Sequence, residues 1–171
     1  FHLKKAGMEN LKVDLHTANT AFGGAIDAAV LYQAHAKAAG IDINVVREAD
    51  DGYWVNVWMK KPWSMSYWGG RPTEDWMFTV AYAAGGSWNE SFWSNGAFMK
   101  LLVEARAELD QAKRAAMYAE MQKLVRDDGG AVIPMYANNV DAVSKKVATP
   151  DKIAGNWDLD GWKSLERWWF A

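Results

Sequence analysis

The chain has 171 residues, half of them apolar and 23% charged, which suits one ordinary globular domain with a buried core rather than a disordered segment. Nineteen Lys and Arg against 21 Asp and Glu give a formal charge of −2. Dense basic spots such as Lys4-Lys5, Lys60-Lys61 and Lys145-Lys146 are no longer than pairs, which argues against a nucleic-acid partner, since phosphate binding needs clustered cations. There is no Cys, and His2, His16 and His35 are scattered, so disulfides, thiolate chemistry and a metal site have no support.

The opening "FHLKKAGMENL" has no initiator Met and reads as the last turn of a helix ending at Gly7, as in a piece of a longer protein. Leu11 to Ala18 alternates apolar and polar residues and predicts a strand. Phe22 to Gly40 is Ala-rich and closes on a glycine, so it predicts a helix. Ile41 to Glu48 alternates again, with Ile41, Ile43 and Val45 on one face. In Asp51 to Lys60, Trp54, Val57 and Trp58 stand at i, i+3 and i+4, which predicts a short helix behind an Asp N-cap. Pro62 to Trp68 is then a third strand, and the β-α-β-α-β order is that of an open α/β sheet.

Thr73 to about Ala83 predicts a short helix with Glu74 and Asp75 in its first turn, where the helix dipole favours acids. Two longer helices follow, one capped by Ser94 or Asn95 and the next by Asp110 and ended by Gly129-Gly130. Met117, Met121 and Leu124 form a core stripe on the second. Ala131 to Ser144 reads as two strand pieces interrupted near Asn138-Asn139. The tail from Thr149 has turn residues, little periodicity and four Trp, and must pack on something.

Eleven Trp is more than a core of this size needs. Seven lie between Trp54 and Trp93 and four between Trp157 and Trp169. They suit recognition of flat or mixed apolar-polar ligands, or bulky packing with a Trp-rich interface. "MSYWGGRPTEDW" (Met65 to Trp76) carries the most chemistry. Tyr67 and Trp68 point to opposite faces if the strand persists. Gly69-Gly70 allows a sharp turn or a close approach. Arg71, beside a helix start, can grip a carboxylate, or can pair with Glu74 or Asp75 and staple its own loop. "GGSWNESFW" (Gly85 to Trp93) repeats the theme with Trp88 and Asn89, whose amide can orient a polar ligand. Glu74 and Asp75 are adjacent and point about 100° apart on a helix, a poor geometry for paired acid-base work. Ser64, Ser66 and Ser87 lack a nucleophile-elbow pattern. No catalytic residue and no cofactor is assigned, and a glycan-binding or glycan-processing domain or a structural interaction module are the alternatives to a binding protein.

Ala39 to Ile41, "DGYWVNVWMKKPWSMSYWGGRPTEDWMF", "WNESFW", "LLVEARAELDQAKRAAMYAEMQKLVRDDGG" and "AVIPMYAN" together resemble the C-terminal half of family 5 extracellular solute-binding proteins, the peptide- and oligopeptide-type receptors of bacterial ABC transporters. The resemblance runs over nearly the whole chain. It implies an α/β fold, a periplasmic-binding-protein-like lobe (type II, cluster C style) with an open mixed sheet flanked by helices. Residues 1–136 would be most of the second lobe of a two-lobed protein. Residues 137–171 would be the hinge crossing, around Met135 to Asn138, and the segment returning to the first lobe, the rest of which lies outside this sequence. The resemblance implies a non-enzymatic receptor, periplasmic or extracellular and membrane-anchored, that passes a small peptide-like or carboxylate-bearing solute to inner-membrane permease subunits. The ligand-binding residues carried over are Tyr67, Trp68, Gly69, Arg71, Trp88, Asn89 and Tyr136. One departure stands out: peptide binders of the family have an Asp shortly after the residue matching Trp68, where this chain has Arg71. That disfavours a free ligand amino group and favours a carboxylate.

Overall fold

Two alternating segments pair, because each has one apolar edge to bury. β1 (Leu11–Thr17) and β2 (Ile41–Arg47) run parallel, in register from Leu11↔Ile41 to Thr17↔Arg47. A parallel pair needs a crossover, and α2 (Ala25–Ala38) supplies it. The computed structural model describes all 171 residues, which divide into two compact units, Phe1–Trp68 and Gly69–Ala171.

In the first unit, the short α1 (His2–Lys5) precedes β1 and gives way to Gly7 at φ 69°. α2 buries Ala29 and Ala36 against Leu15 and Ile43, and small side chains let the helix lie close to the sheet. Gln33 Nε2 on this helix donates to the Ile43 carbonyl at 2.6 Å. The opposite sheet face is polar: Asn44 donates to Asp14 at 2.8 Å and Lys12 meets Asp42 at 3.7 Å.

Two expectations need correction in this unit. The helix after Glu48 is α3 (Tyr53–Asn56), and it starts from Gly52 at φ 75° rather than from an Asp cap. Val57 of the expected Trp54, Val57 and Trp58 stripe is buried, but its buried companion is Tyr53, and Trp54 is exposed. Tyr53 wins the interior because its hydroxyl finds an acceptor there, donating to the Met65 carbonyl at 2.7 Å. Pro62 to Trp68 is not a full strand. It makes one parallel bridge, His16↔Ser64, in which His16 N donates to the Trp63 carbonyl and Met65 N to the His16 carbonyl. Pro62 has no N–H to extend that ladder, and the Met65 carbonyl accepts from Tyr53 instead.

The second unit is built on three helices, α4 (Glu74–Ala81), α5 (Gly96–Ala107) and α6 (Gln111–Asp128). Each begins where its cap predicts. Thr73 Oγ1 accepts from Trp76 N, Asn95 Oδ1 from Ala97 N and Phe98 N, and Asp110 Oδ1 from Lys113 N. Their shared core holds Phe78, Phe98, Leu102, Ala105, Met121 and Val125, with Met117 and Leu124 packed against it. Polar ties fix the helices at their ends. Asp75 Oδ1 accepts from Arg106 Nε at 2.8 Å and from the Tyr118 hydroxyl at 3.3 Å. Asp128 Oδ2 accepts from Trp93 Nε1 at 2.9 Å and Asn95 Nδ2 at 3.2 Å.

Ala131 to Ser144 contains no strand, contrary to expectation, and residues 132–146 are exposed. An apolar alternation makes a strand only when a neighbour pairs with it, and these fourteen residues have none in this chain. Beyond them a small ladder forms, β3 (Val147–Ala148) antiparallel to β4 (Trp169–Phe170). Between its strands lie α7 (Asp158–Trp162) and α8 (Ser164–Arg167). No helix is long and apolar enough to cross a membrane.

Candidate ligand-binding site

The candidate residues fall into separate local environments. In the first unit, Tyr67 is 62% exposed and sets its ring edge-to-face with Trp54, centroids 5.9 Å apart. Trp54 also meets Trp58 at 6.0 Å and Tyr53 at 5.3 Å, so Tyr67 belongs to a surface cluster of near-perpendicular rings. Trp68, half-buried, ends that unit.

In the second unit, Arg71 turns back on its own loop. Nη1 donates to the Gly69 carbonyl at 2.8 Å and the Gly70 carbonyl at 3.4 Å, and the guanidinium carbon lies 5.8 Å from the Trp76 ring centroid. Asp75, one of its two expected partners, is engaged by Arg106. The glycines next to it admit a close approach, and the approaching group is the chain's own tail. A Cβ on Gly70 would lie 2.6 Å from the Asn156 carbonyl oxygen and 3.3 Å from Asn156 Cα. At Gly69, Trp157 Nε1 and Arg71 Nη1 are each 3.7 Å from the corresponding point.

The Gly85–Trp93 loop splits its two candidates. Asn89 is 3% exposed; Nδ2 donates to the Trp93 carbonyl at 2.7 Å and the Ala83 carbonyl at 3.3 Å, and Oδ1 accepts from Ser91 Oγ at 3.1 Å. Its amide therefore holds the loop together. Trp88, one residue earlier, is 50% exposed. Tyr136 lies in the extended segment and is 88% exposed. Burial first, then the charges of Glu90 and Tyr136, push the Tyr82 phenol above its usual value of 10.0, so Tyr82 stays protonated at neutral pH.

Sequence reasoning missed two polar arrangements. His16 Nδ1 and Glu48 Oε1 lie 2.6 Å apart, brought together by the parallel register although 32 residues separate them. The larger omission is in the tail. Asp160 is 1% exposed. Its Oδ1 accepts from Ala154 N at 2.6 Å and Arg167 Nη1 at 2.8 Å, and its Oδ2 from Trp168 Nε1 at 3.3 Å. Arg167 Nη2 also donates to the Lys152 carbonyl, and Leu159 N to Asp141 Oδ2, both at 2.8 Å.

This network holds an unusual backbone. Leu159, Asp160, Gly161 and Trp162 have φ of 49°, 62°, 65° and 64°, so α7 is left-handed through four successive residues. For a residue with a Cβ that conformation costs about 1–2 kcal/mol. Hydrogen bonds to a charged group contribute about 1.5–3 kcal/mol each, enough to offset it. The turn brings Trp162 onto Trp157, ring centroids 4.8 Å apart and planes 18° apart. Only the DG pair in "DLDG" hinted at a turn here, and nothing in the sequence marked Asp160 rather than Asp158 as the buried acid.

Shallow surface hollows lie along Gly7–Lys12 and beside Lys12, Val13, Asp14, Asp42 and Asn44, and neither takes in any of the candidate residues.

The chain has the α/β fold of part of a periplasmic binding protein, as the resemblance implied, and solved structures bear this out. The chain is similar to the oligopeptide-binding protein AppA from Bacillus subtilis, solved with a nonapeptide: TM-score 0.65, 19% identity, covering 94% of this chain and 32% of that one. It is similar to the ABC transporter-associated periplasmic binding protein DppA from Helicobacter pylori, solved with the peptide STSA: TM-score 0.59, 24% identity, 75% of this chain and 26% of that one. It is also similar to NikA from Staphylococcus aureus, solved with Ni(L-His)2: TM-score 0.58, 23% identity, 71% of this chain and 27% of that one. The chain thus spans about a quarter to a third of the length of these structures. No family model matches the chain, and no curated protein does.

Proposed function

We propose that the chain is part of a solute-binding protein of an ABC transporter and supplies one wall of its ligand cleft. The observation that carries this is the fold, shared with proteins solved around a nonapeptide, a tetrapeptide and a nickel–histidine complex. The contiguous segment Tyr67–Arg71 adds exposed aromatic surface, two glycines and a cation. Tyr67, Trp68, Trp88 and Tyr136 offer rings to the solute, and the Gly69 backbone offers hydrogen-bonding groups for strand-like pairing. Asn89 acts at one remove, by fixing the loop that carries Trp88. Arg71 shapes the Gly69-Gly70 turn and gives it a positive field, which favours a peptide-like or carboxylate-bearing solute.

The protein on this reading does no covalent chemistry. It works in the periplasm, or outside the cell on a membrane anchor. Its partners are the permease subunits and the remainder of its own binding protein, which closes over the solute from a hinge near Met135–Asn138. A single wall buries only part of a ligand, so these 171 residues alone bind weakly, in the millimolar range by order of magnitude. The test is a tryptophan-fluorescence titration with tri-alanine, succinate and maltotriose, on the chain and on Trp68→Ala. A saturable response to tri-alanine or succinate that Trp68→Ala abolishes, with the circular dichroism unchanged, supports the proposal. A response to maltotriose alone, or micromolar binding by this chain, refutes it.

A further inference from the structure

The main-chain acceptors of the Gly69-Gly70 turn are already in use. Arg71 Nη1 donates to the Gly69 carbonyl at 2.8 Å, a full hydrogen bond, and to the Gly70 carbonyl at 3.4 Å, a weak one. The turn itself does not depend on these bonds alone. The Asn156 backbone packs directly on Gly70, its carbonyl 2.6 Å from where a Cβ would stand. The half-buried Arg71 side chain is therefore the movable part of the arrangement and the turn the fixed part. A guanidinium resting on neutral carbonyls is open to exchange, because a carboxylate is a stronger acceptor and matches its planar fork with two parallel bonds. Asp75 does not supply that carboxylate, since Arg106 holds it at 2.8 Å.

We infer that Arg71 is a gate on the Gly69 and Gly70 carbonyls, opened by a carboxylate. The ligand's carboxylate draws the guanidinium off the turn, and the freed carbonyls accept from the ligand's N–H groups. This rests on the solute-receptor reading above and makes Arg71 a specificity-determining residue. It selects solutes that carry a carboxylate with N–H groups close by, as the C-terminal end of a peptide does. A peptide without that charge meets carbonyls that Arg71 still occupies. A lone carboxylate, such as an acidic side chain from the rest of a longer binding protein, gains the guanidinium but makes no use of the carbonyls.

The test titrates tri-alanine, tri-alanine amide and acetate into the full 171-residue chain and into Arg71→Ala. Binding is followed by tryptophan fluorescence and by the 13C signal of the Gly69 carbonyl. That signal is assigned through Gly69→Ala, whose Cβ meets only ordinary contacts at 3.7 Å. The native chain is expected to bind tri-alanine about tenfold more tightly than either the amide or acetate. In Arg71→Ala tri-alanine loses about tenfold, whereas the amide gains about threefold, because the carbonyls no longer accept from the guanidinium. An amide affinity that stays unchanged reduces Arg71 to a plain charge clamp, and one that falls reduces it to a staple of its loop; either overturns the gate. The native chain tests it without a variant. Tri-alanine and acetate should move the Gly69 signal saturably and the amide should not, and a signal that ignores both carboxylates overturns the gate. The receptor reading is judged apart. If tri-alanine binds the native chain and Arg71→Ala equally, the gate falls and the receptor stands. If neither tripeptide binds either protein while acetate still moves the Gly69 signal, the receptor falls, and Arg71 serves a lone carboxylate in place of a solute.

Discussion

Gly70→Ala should loosen the tail from its loop. The added methyl would lie 2.6 Å from a backbone carbonyl, about 0.8 Å short of ordinary contact. A backbone oxygen cannot rotate away as a side chain can, so Asn156 must move. Overpacking of this kind costs about 1–3 kcal/mol. Against it, replacing Gly by Ala at an ordinary φ reduces the freedom of the unfolded chain and returns about 0.4–1 kcal/mol. The expected net loss is about 0.5–2 kcal/mol, read from urea unfolding. The effect is local, so proteolysis within the exposed residues 132–146 should speed up while the three-helix core keeps its protection. Gly155→Ala is the control: its Cβ meets nothing within 4 Å, and it should be neutral or slightly stabilising. If Gly70→Ala is as stable as Gly155→Ala and is cut no faster, Asn156 does not lie over Gly70 and the account of this loop is wrong.

Three further outcomes follow from the same contacts. Asp160→Asn keeps the size of the side chain but removes the charge opposite Arg167, and should lower stability by about 2–4 kcal/mol in urea unfolding; an unchanged midpoint would contradict the buried network. Asn89→Ala strands the Ala83 and Trp93 carbonyls and should cost about 1–3 kcal/mol in a thermal melt, with equal melting showing that the loop is held by other means. The Trp93 indole, and then Asn95, hold the Asp128 carboxyl below its ordinary 3.8. A depressed carboxylate stabilises the fold above that value, and the contribution is lost as pH falls through the lower folded value. Asp128→Asn should therefore flatten the fall of melting temperature below about pH 4, and an unaltered acid slope would remove Asp128 from the account.

What the sequence disclosed was what short-range chemistry decides. Asn95, one of two residues offered, and Asp110 cap their helices because an N-cap needs only its own next turn. The Met117, Met121 and Leu124 stripe is in the core because a helix fixes which residues share a face. The β1-α2-β2 unit followed from two alternations and a helical run. What stayed hidden depended on distant partners. Pro62 to Trp68 became a single bridge because Tyr53, a dozen residues earlier, bonds to Met65. Ala131 to Ser144 has a strand's alternation without a neighbour. Gly70 was legible as a point of close approach, but its visitor, Asn156, was not. Asp160 looked like any acid in a turn until Arg167 and Trp168 closed over it.

The interior position of Asn89 has a practical consequence. Asn89-Glu90-Ser91 spells an acceptor for N-linked glycan, a modification at home on exposed loops. In the folded chain that amide nitrogen is spent on two carbonyls and no sugar can reach it. In a eukaryotic secretory host the glycan would be added while the chain is still unfolded, to a side chain that must later turn inward. A glycosylated copy could not close the Gly85–Trp93 loop, so host-made material would divide into folded, sugar-free molecules and misfolded, sugar-bearing ones. Production in bacteria avoids the division, and Ser91→Ala removes the acceptor elsewhere at the expense of one hydrogen bond to Asn89.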